Sequence, residues 1–280
     1  FSLCTAFAQD PSVHEKFKST GLVFTENKGQ MTDMGGKLVS SVLYKVQAPG
    51  MDVYVTEKGL TYVFLKTEEE DKRELRTKET KDIGFREEKN RRTEWERIET
   101  ELKGASIKKE GIVKEGLSAD FSQYFFSHCP QGIGDVRKYE KITIKEVYPG
   151  IDWVLYNSND KGFKYDFVVH PGADPKQIKL VYSSLSPLQL KEDGAIEIKT
   201  GIGTLTEQAP YSFVRETQQE IKTKFQIISQ KHINDQYYQT ALTFLLNTQY
   251  PILTTIVIDP QLTWATFYGG NGNDGPMSID

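Results

Sequence analysis

Cysteine and histidine are scarce in this 280-residue chain, which holds two of the first and four of the second. Cys4 lies in a segment read below as removed, so Cys129 stands alone and a disulfide framework is excluded. His14, His128, His170 and His232 are scattered, with no His-x-x-x-His or Cys-x-x-Cys spacing to mark a zinc site. No Gly-rich loop opens a helix after a strand, and no βαβ rhythm exists to carry one, which leaves a nucleotide without a home. A Gly-x-Ser-x-Gly elbow for a hydrolytic nucleophile is also missing. No apolar run approaches the ~20 residues of a membrane helix. Charge of one sign is lacking too: 35 basic residues face 39 acidic ones, for a net charge of −4. That balance gives no basic face for nucleic acid. The sequence assigns no catalytic residue, no metal ligand and no cofactor.

What the chain does have is β texture. Val39–Val46, Asp52–Val55 and Leu60–Leu65 are rich in β-branched and aromatic residues, and Pro-Gly and Lys-Gly turns separate them. The same texture returns in 153–156, 163–169 and 178–182. It continues through 196–199, 224–228, 241–245 and 255–258. Short strands at regular spacing predict an all-β, sandwich-like or barrel-like fold. There is an internal echo: Pro49-Gly50-Met51-Asp52 and Pro149-Gly150-Ile151-Asp152 each precede a strand, a Gly turn and an aromatic strand. The repeated hairpin unit predicts one large domain or two related β-sandwich-like subdomains.

Both ends and the middle break this texture. Phe1 to Ala8 is an apolar run ending in Ala6-Phe7-Ala8, with Gln9 and Asp10 following, which reads as the remnant of a signal peptide and hence an exported protein. Thirty of the 51 residues from Lys66 to Gly116 are charged, fifteen of each sign. Such sequence solvates more readily than it packs, so residues 66–93 are expected to be an exposed insertion, with Glu68 to Arg92 a loop or solvated helix. Thr93 to Leu102 alternates again and is expected to rejoin the sheet as an edge strand with a charged outer face.

Residues that could carry chemistry have plainer readings beside them. Ser127-His128-Cys129-Pro130 suggests a thiolate pair, but neighbours on a strand point to opposite faces, and a buried inert cysteine is the better reading. Glu26, Asp52, Asp152 and Asp166 lie in or beside aromatic strands and are the carboxylates available to a glycoside-hydrolase pair. Asp52 and Asp152 follow Pro-Gly turns, where a carboxylate more often binds turn amides. Trp153, Tyr156 and Tyr165 are the candidates for stacking on sugar rings, against a competing reading as core. Asn271-Gly272-Asn273-Asp274 could gather oxygen ligands for calcium, or form only a turn.

Several phrases occur together in order: Phe24-Thr25-Glu26-Asn27-Lys28-Gly29-Gln30, Val147 to Asp152, Tyr165-Asp166-Phe167-Val168-Val169-His170-Pro171-Gly172-Ala173-Asp174-Pro175, Ile256 to Pro260, and Thr266 to Asp274. The chain thereby resembles the uncharacterised N-terminal domain that precedes SBBP-type β-propeller repeats in secreted proteins, many from Bacteroidetes. The resemblance implies a β-rich domain over residues 9–265 and the start of a first propeller repeat at 266–280, truncated here. It further implies export, with type IX secretion and gliding motility in many members, and supplies no catalytic or ligand residue. The charged insertion departs from the usual pattern. The expectation is a non-catalytic structural or adhesive module of a secreted or cell-surface protein. Its partners would be the downstream propeller of the same chain, surface glycans or other cell-surface proteins. A carbohydrate-binding module is the alternative, and a hydrolase with a carboxylate pair comes behind it.

Overall fold

Alternation of β-branched and aromatic residues with polar ones produces strands along nearly the whole chain, because the pleat sends successive side chains to opposite faces. The computed structural model describes residues 22–266 apart from 34, 70–90, 127, 159–161, 235 and 247–252. Its strands are β1 (Phe24–Glu26), β2 (Val42–Ala48), β3 (Met51–Thr56), β4 (Gly59–Glu69), β5 (Arg91–Leu102), β6 (Ile112–Phe126), β7 (Cys129–Tyr148), β8 (Ile151–Ser158) and β9 (Gly162–Val169). They continue with β10 (Lys179–Ser184), β11 (Gln189–Leu190), β12 (Ile196–Lys199), β13 (Gly203–Glu207), β14 (Tyr211–Val214), β15 (Glu220–Ile221), β16 (Thr223–Asn234), β17 (Tyr237–Leu246), β18 (Ile256–Asp259) and β19 (Leu262–Thr266). The all-β expectation holds. Among the described residues no helix is long and apolar enough to cross a membrane.

Fifteen strands form one antiparallel sheet in the order β15-β14-β18-β9-β8-β7-β1-β2-β3-β4-β5-β10-β17-β16, with β6 attached to β7. The sheet curls until it is nearly closed. Ring contacts show the curl: Phe167 on β9 meets Phe244 on β17 at 5.9 Å, although those strands lie far apart in the order. A four-stranded sheet, β11-β12-β13-β19, adds Ile196, Ile198, Leu205 and Leu262 to the same buried cluster. A single core therefore serves both sheets.

The internal echo is structural. β2–β3–β4 and β7–β8–β9 are antiparallel meanders whose first turns place Gly50 at φ 72° and Gly150 at φ 70°, a region glycine enters without steric cost. The backbone repeats its bonds: Leu65 N–H donates to Gly50 O and His170 N–H to Gly150 O. The ion pair Lys45–Asp52 at 2.8 Å has its counterpart in Lys145–Asp152 at 2.7 Å. The duplicated unit lies within one sheet, not in two subdomains.

The charged insertion is narrower than its composition suggests. β4 runs to Glu69 and β5 begins at Arg91, pairing Glu69 with Arg91 and Glu68 with Arg92; the rest of that run lies outside the described residues. β5 is not an edge strand. It pairs with β4 on one side and with β10 on the other, because its inward residues Ile98, Thr100 and Leu102 are buried and need sheet on both flanks.

Candidate functional site

Trp153 and Tyr165 are each only 1% exposed. Strand periodicity turns both inward, where Trp153 stacks on Phe167 at 6.3 Å and meets the edge of Tyr165 at 6.1 Å. Neighbouring rings cover their faces, so neither presents one to a sugar. Tyr156 points to the outer face and is half-buried, with its hydroxyl donating to Asp166 at 3.3 Å. The three rings form no shared platform.

The four carboxylates divide in the same way. Glu26 accepts from the Arg137 amide at 2.9 Å and pairs with Lys28 and Lys114. Asp52 pairs with Lys45 and accepts from the Tyr54 hydroxyl. Asp152 and Asp166 lie on the outer face of neighbouring strands, in diagonal register, since Asp152 pairs with Val168 and Val154 with Asp166. Asp152 accepts from Lys145 Nζ at 2.7 Å and from the Glu146 amide at 3.0 Å, and lies 2.9 Å from His170 Nε2. A bulge between Ile144 and Tyr148, with Glu146 at φ 52°, brings that amide to the carboxylate. Burial alone would raise the pKa of Asp152, but the Lys145, Glu146 and His170 bonds outweigh it and hold the carboxyl below its ordinary value. Burial, with Asp259 beside it, pushes Asp166 the other way, to about 7. Asp259 in turn receives Lys164 Nζ at 2.8 Å.

Between these groups the outer face of β7, β8 and β9 forms a cleft of about 210 Å³. Val154 and Val168 floor it, and Lys141, Lys145, His170 and Arg215 rim it. Among the described residues no group of three or more His, Cys, Asp or Glu is placed to hold a metal ion. The Asn271 to Asp274 turn lies outside the described residues.

Sequence reasoning missed two features. The first is Glu207 at the end of β13, fully buried between the sheets. It accepts from the Tyr182 hydroxyl at 2.6 Å and from Tyr165 at 2.8 Å. Burial pushes its pKa up to about 7 against the lowering effect of those bonds. Only the pairing of β13 with β12 and β19 reveals that this acid faces inward.

The second is the β6–β7 ribbon. Among the described residues β6 pairs with β7 alone, from Ile112–Ile144 out to Phe126–Cys129. Leu117, Phe121, Phe125 and Phe126 are exposed along it, Phe125 to 74%. Phe126 stacks between Tyr124 at 5.7 Å and His128 at 5.2 Å, and Arg137 lies over the Phe121 ring. Phe125 lies so close to Gly132 that a Cβ there would come within 2.7 Å of the ring. Cys129 is half-buried in this ribbon, with Sγ 3.4 Å from Gly132 O, and not in the core as the sequence suggested. His128 gives its ring to the stack.

A nearly closed antiparallel β domain, with a second small sheet sharing its core, is the class these observations define. The chain belongs to the family described as a domain of unknown function, DUF7948, whose model matches residues 24–261. No curated protein and no solved structure matches it.

Proposed function

We propose that this domain is a non-catalytic adhesive module of an exported, multidomain cell-surface protein, and that the β6–β7 ribbon is its contact arm. The observation that carries this reading is the exposure of Leu117, Phe121, Phe125 and Phe126 along both faces of a ribbon whose outer edge is unpaired among the described residues. Aromatic side chains are enriched at protein interfaces, and an open strand edge offers main-chain bonds to an incoming strand. Stacking at the ribbon end reduces the ordering cost of binding. The preferred partner is therefore another protein at the cell surface. A propeller following in the same polypeptide is the second occupant consistent with the resemblance above.

The test is photo-crosslinking on intact cells, with benzoylphenylalanine at position 125 of the parent polypeptide and, as a control, at exposed Lys222. Position 125 is expected to capture a second polypeptide, and Leu117→Ser with Phe121→Ser to abolish the capture. No crosslink above the Lys222 control, or a chain inaccessible to protease added outside the cell, would sink the reading.

A further inference from the structure

The four-stranded sheet meets the large sheet through apolar side chains and one buried acid. No backbone ladder joins the two sheets among the described residues. Glu207, at the end of β13, reaches across instead: Tyr182 on β10 donates to its Oε1 at 2.6 Å, and Tyr165 on β9 to its Oε2 at 2.8 Å. Among the described residues these are the fully buried side-chain bonds between the sheets. Tyr62 on β4 also faces the carboxyl, near enough to feel its charge, and its hydroxyl has no bond partner among the described residues. On its own sheet Glu207 pairs with Ile196 on β12 and Leu262 on β19. The elements packed around the acid thus offer three tyrosines and apolar side chains. No lysine, arginine or histidine pairs with it among the described residues.

We propose that Glu207 is a proton-controlled latch: the protonated acid holds the four-stranded sheet against the large one, and loss of its proton loosens that sheet while the large sheet stays folded. A carboxylate sealed among apolar side chains needs a cation or several donors, and two hydroxyls are few. A neutral carboxyl suits the site better. Its O–H can turn to the Tyr165 oxygen, and Tyr165 can pass its own hydrogen to Tyr182, with which it also bonds. Tyr182 still donates to Oε1, so three bonds close with no net charge. Removing the proton breaks that ring and leaves a negative charge that no cation offsets. Opening of the small sheet returns the carboxylate to water, so rising pH favours the open form. Burial, which pushes the carboxyl from 4.5 up to about 7, sets the interval over which this happens. The small sheet is the part that yields, because side-chain contacts alone dock it, whereas continuous backbone ladders hold the large sheet. Asp166, also raised to about 7, lies on the outer face of the large sheet and has Tyr156, Asp259 and Lys164 for neighbours. The latch goes beyond the adhesive reading and shares no residue with the ribbon.

The test is hydrogen exchange followed by mass spectrometry on the full 280-residue chain from about pH 5 to 8, at several low denaturant concentrations, with rates corrected for intrinsic chemistry. The amides of β12, β13 and β19 are expected to open on the order of tenfold or more readily across that range. Their opening should also depend less on denaturant than that of β3 and β8, because it exposes less surface than global unfolding. Glu207→Gln, uncharged at every pH, is expected to abolish the pH response of the small sheet, and Asp166→Asn to leave it in place. Tyr182→Phe takes a donor from the carboxylate and is expected to enlarge the response, which keeps the latch testable should Glu207→Gln misfold. Three outcomes would each overturn the proposal: β12, β13 and β19 exchanging only together with β3 and β8, no pH response in the small sheet, or a response that Glu207→Gln leaves intact or Tyr182→Phe leaves unenlarged. Loss of the ribbon crosslink alone would leave this result standing, so the two readings fail separately.

Discussion

Two meanders with the same backbone plan, β2–β4 and β7–β9, place different chemistry on it. Both turn through a left-handed glycine and clamp a lysine to an aspartate seven residues on. In the first, Asp52 has Lys45 and Tyr54 as partners. In the second, a bulge adds the Glu146 amide to Asp152, and His170 arrives where the first meander has Leu65. Inside the sheet the copies differ in bulk: Val53, paired with Tyr62, matches Trp153, paired with Phe167. Tyr62 comes near Glu207, while Tyr165, two residues before Phe167 on the same face, bonds it. A turn-and-strand frame tolerates such divergence because backbone bonds hold it and side chains fill what space remains.

Core volume gives the largest expected difference between the two copies. Trp153→Ala should cost roughly 3–5 kcal/mol, since a large buried ring leaves a cavity that its stacked neighbours cannot fill. Val53→Ala, at the matching buried position, should cost about 2 kcal/mol. Urea unfolding of both variants measures this, and equal costs would break the comparison.

The tyrosines come next. Tyr165→Phe removes a donor from a buried acid and should cost about 1–3 kcal/mol. Tyr62→Phe should cost under about 0.5 kcal/mol, because the Tyr62 hydroxyl is buried without a hydrogen-bond partner among the described residues. The acid itself sets a pH dependence. Folding raises the Glu207 carboxyl from 4.5 to about 7, so the stability it contributes is fully present below pH ~4.5 and lost as pH rises through about 7. Glu207 should therefore contribute a decline on the order of 3 kcal/mol in the wild-type unfolding free energy between about pH 5 and 8, beside that of Asp166, which is also raised to about 7. Glu207→Gln should remove its share and leave that of Asp166 in denaturant titrations at several pH values.

The clamps differ least. Asp152→Ala should cost about 1–2 kcal/mol and Asp52→Ala about 1 kcal/mol or less, because both lysines keep access to water. The Asp152 carboxyl is held low in the fold, so its contribution is present above the unfolded value near pH 4 and lost as pH falls below it. Thermal melts from pH 2 to 5 should show a shallower acid limb for Asp152→Ala than for Asp52→Ala.

Period-two alternation and glycine turns determined the all-β class, the repeated hairpin and the charged outer face of β5, because these depend on neighbours in the chain. Alternation also marked Trp153 and Tyr165 as facing Asp152 and Asp166 across the sheet. It could not say which face was the core, since both alternating sets carry aromatic or apolar side chains. Curling of the sheet decided that: it closed over Trp153, Tyr165 and Phe167 and left Trp95 and Tyr237 outside. The same closure brought Glu207 to two tyrosines on strands 25 and 42 residues away in the chain. Contacts over such separations are set by packing that no local pattern encodes, which is why the buried acid and the exposed ribbon emerged only from the tertiary structure.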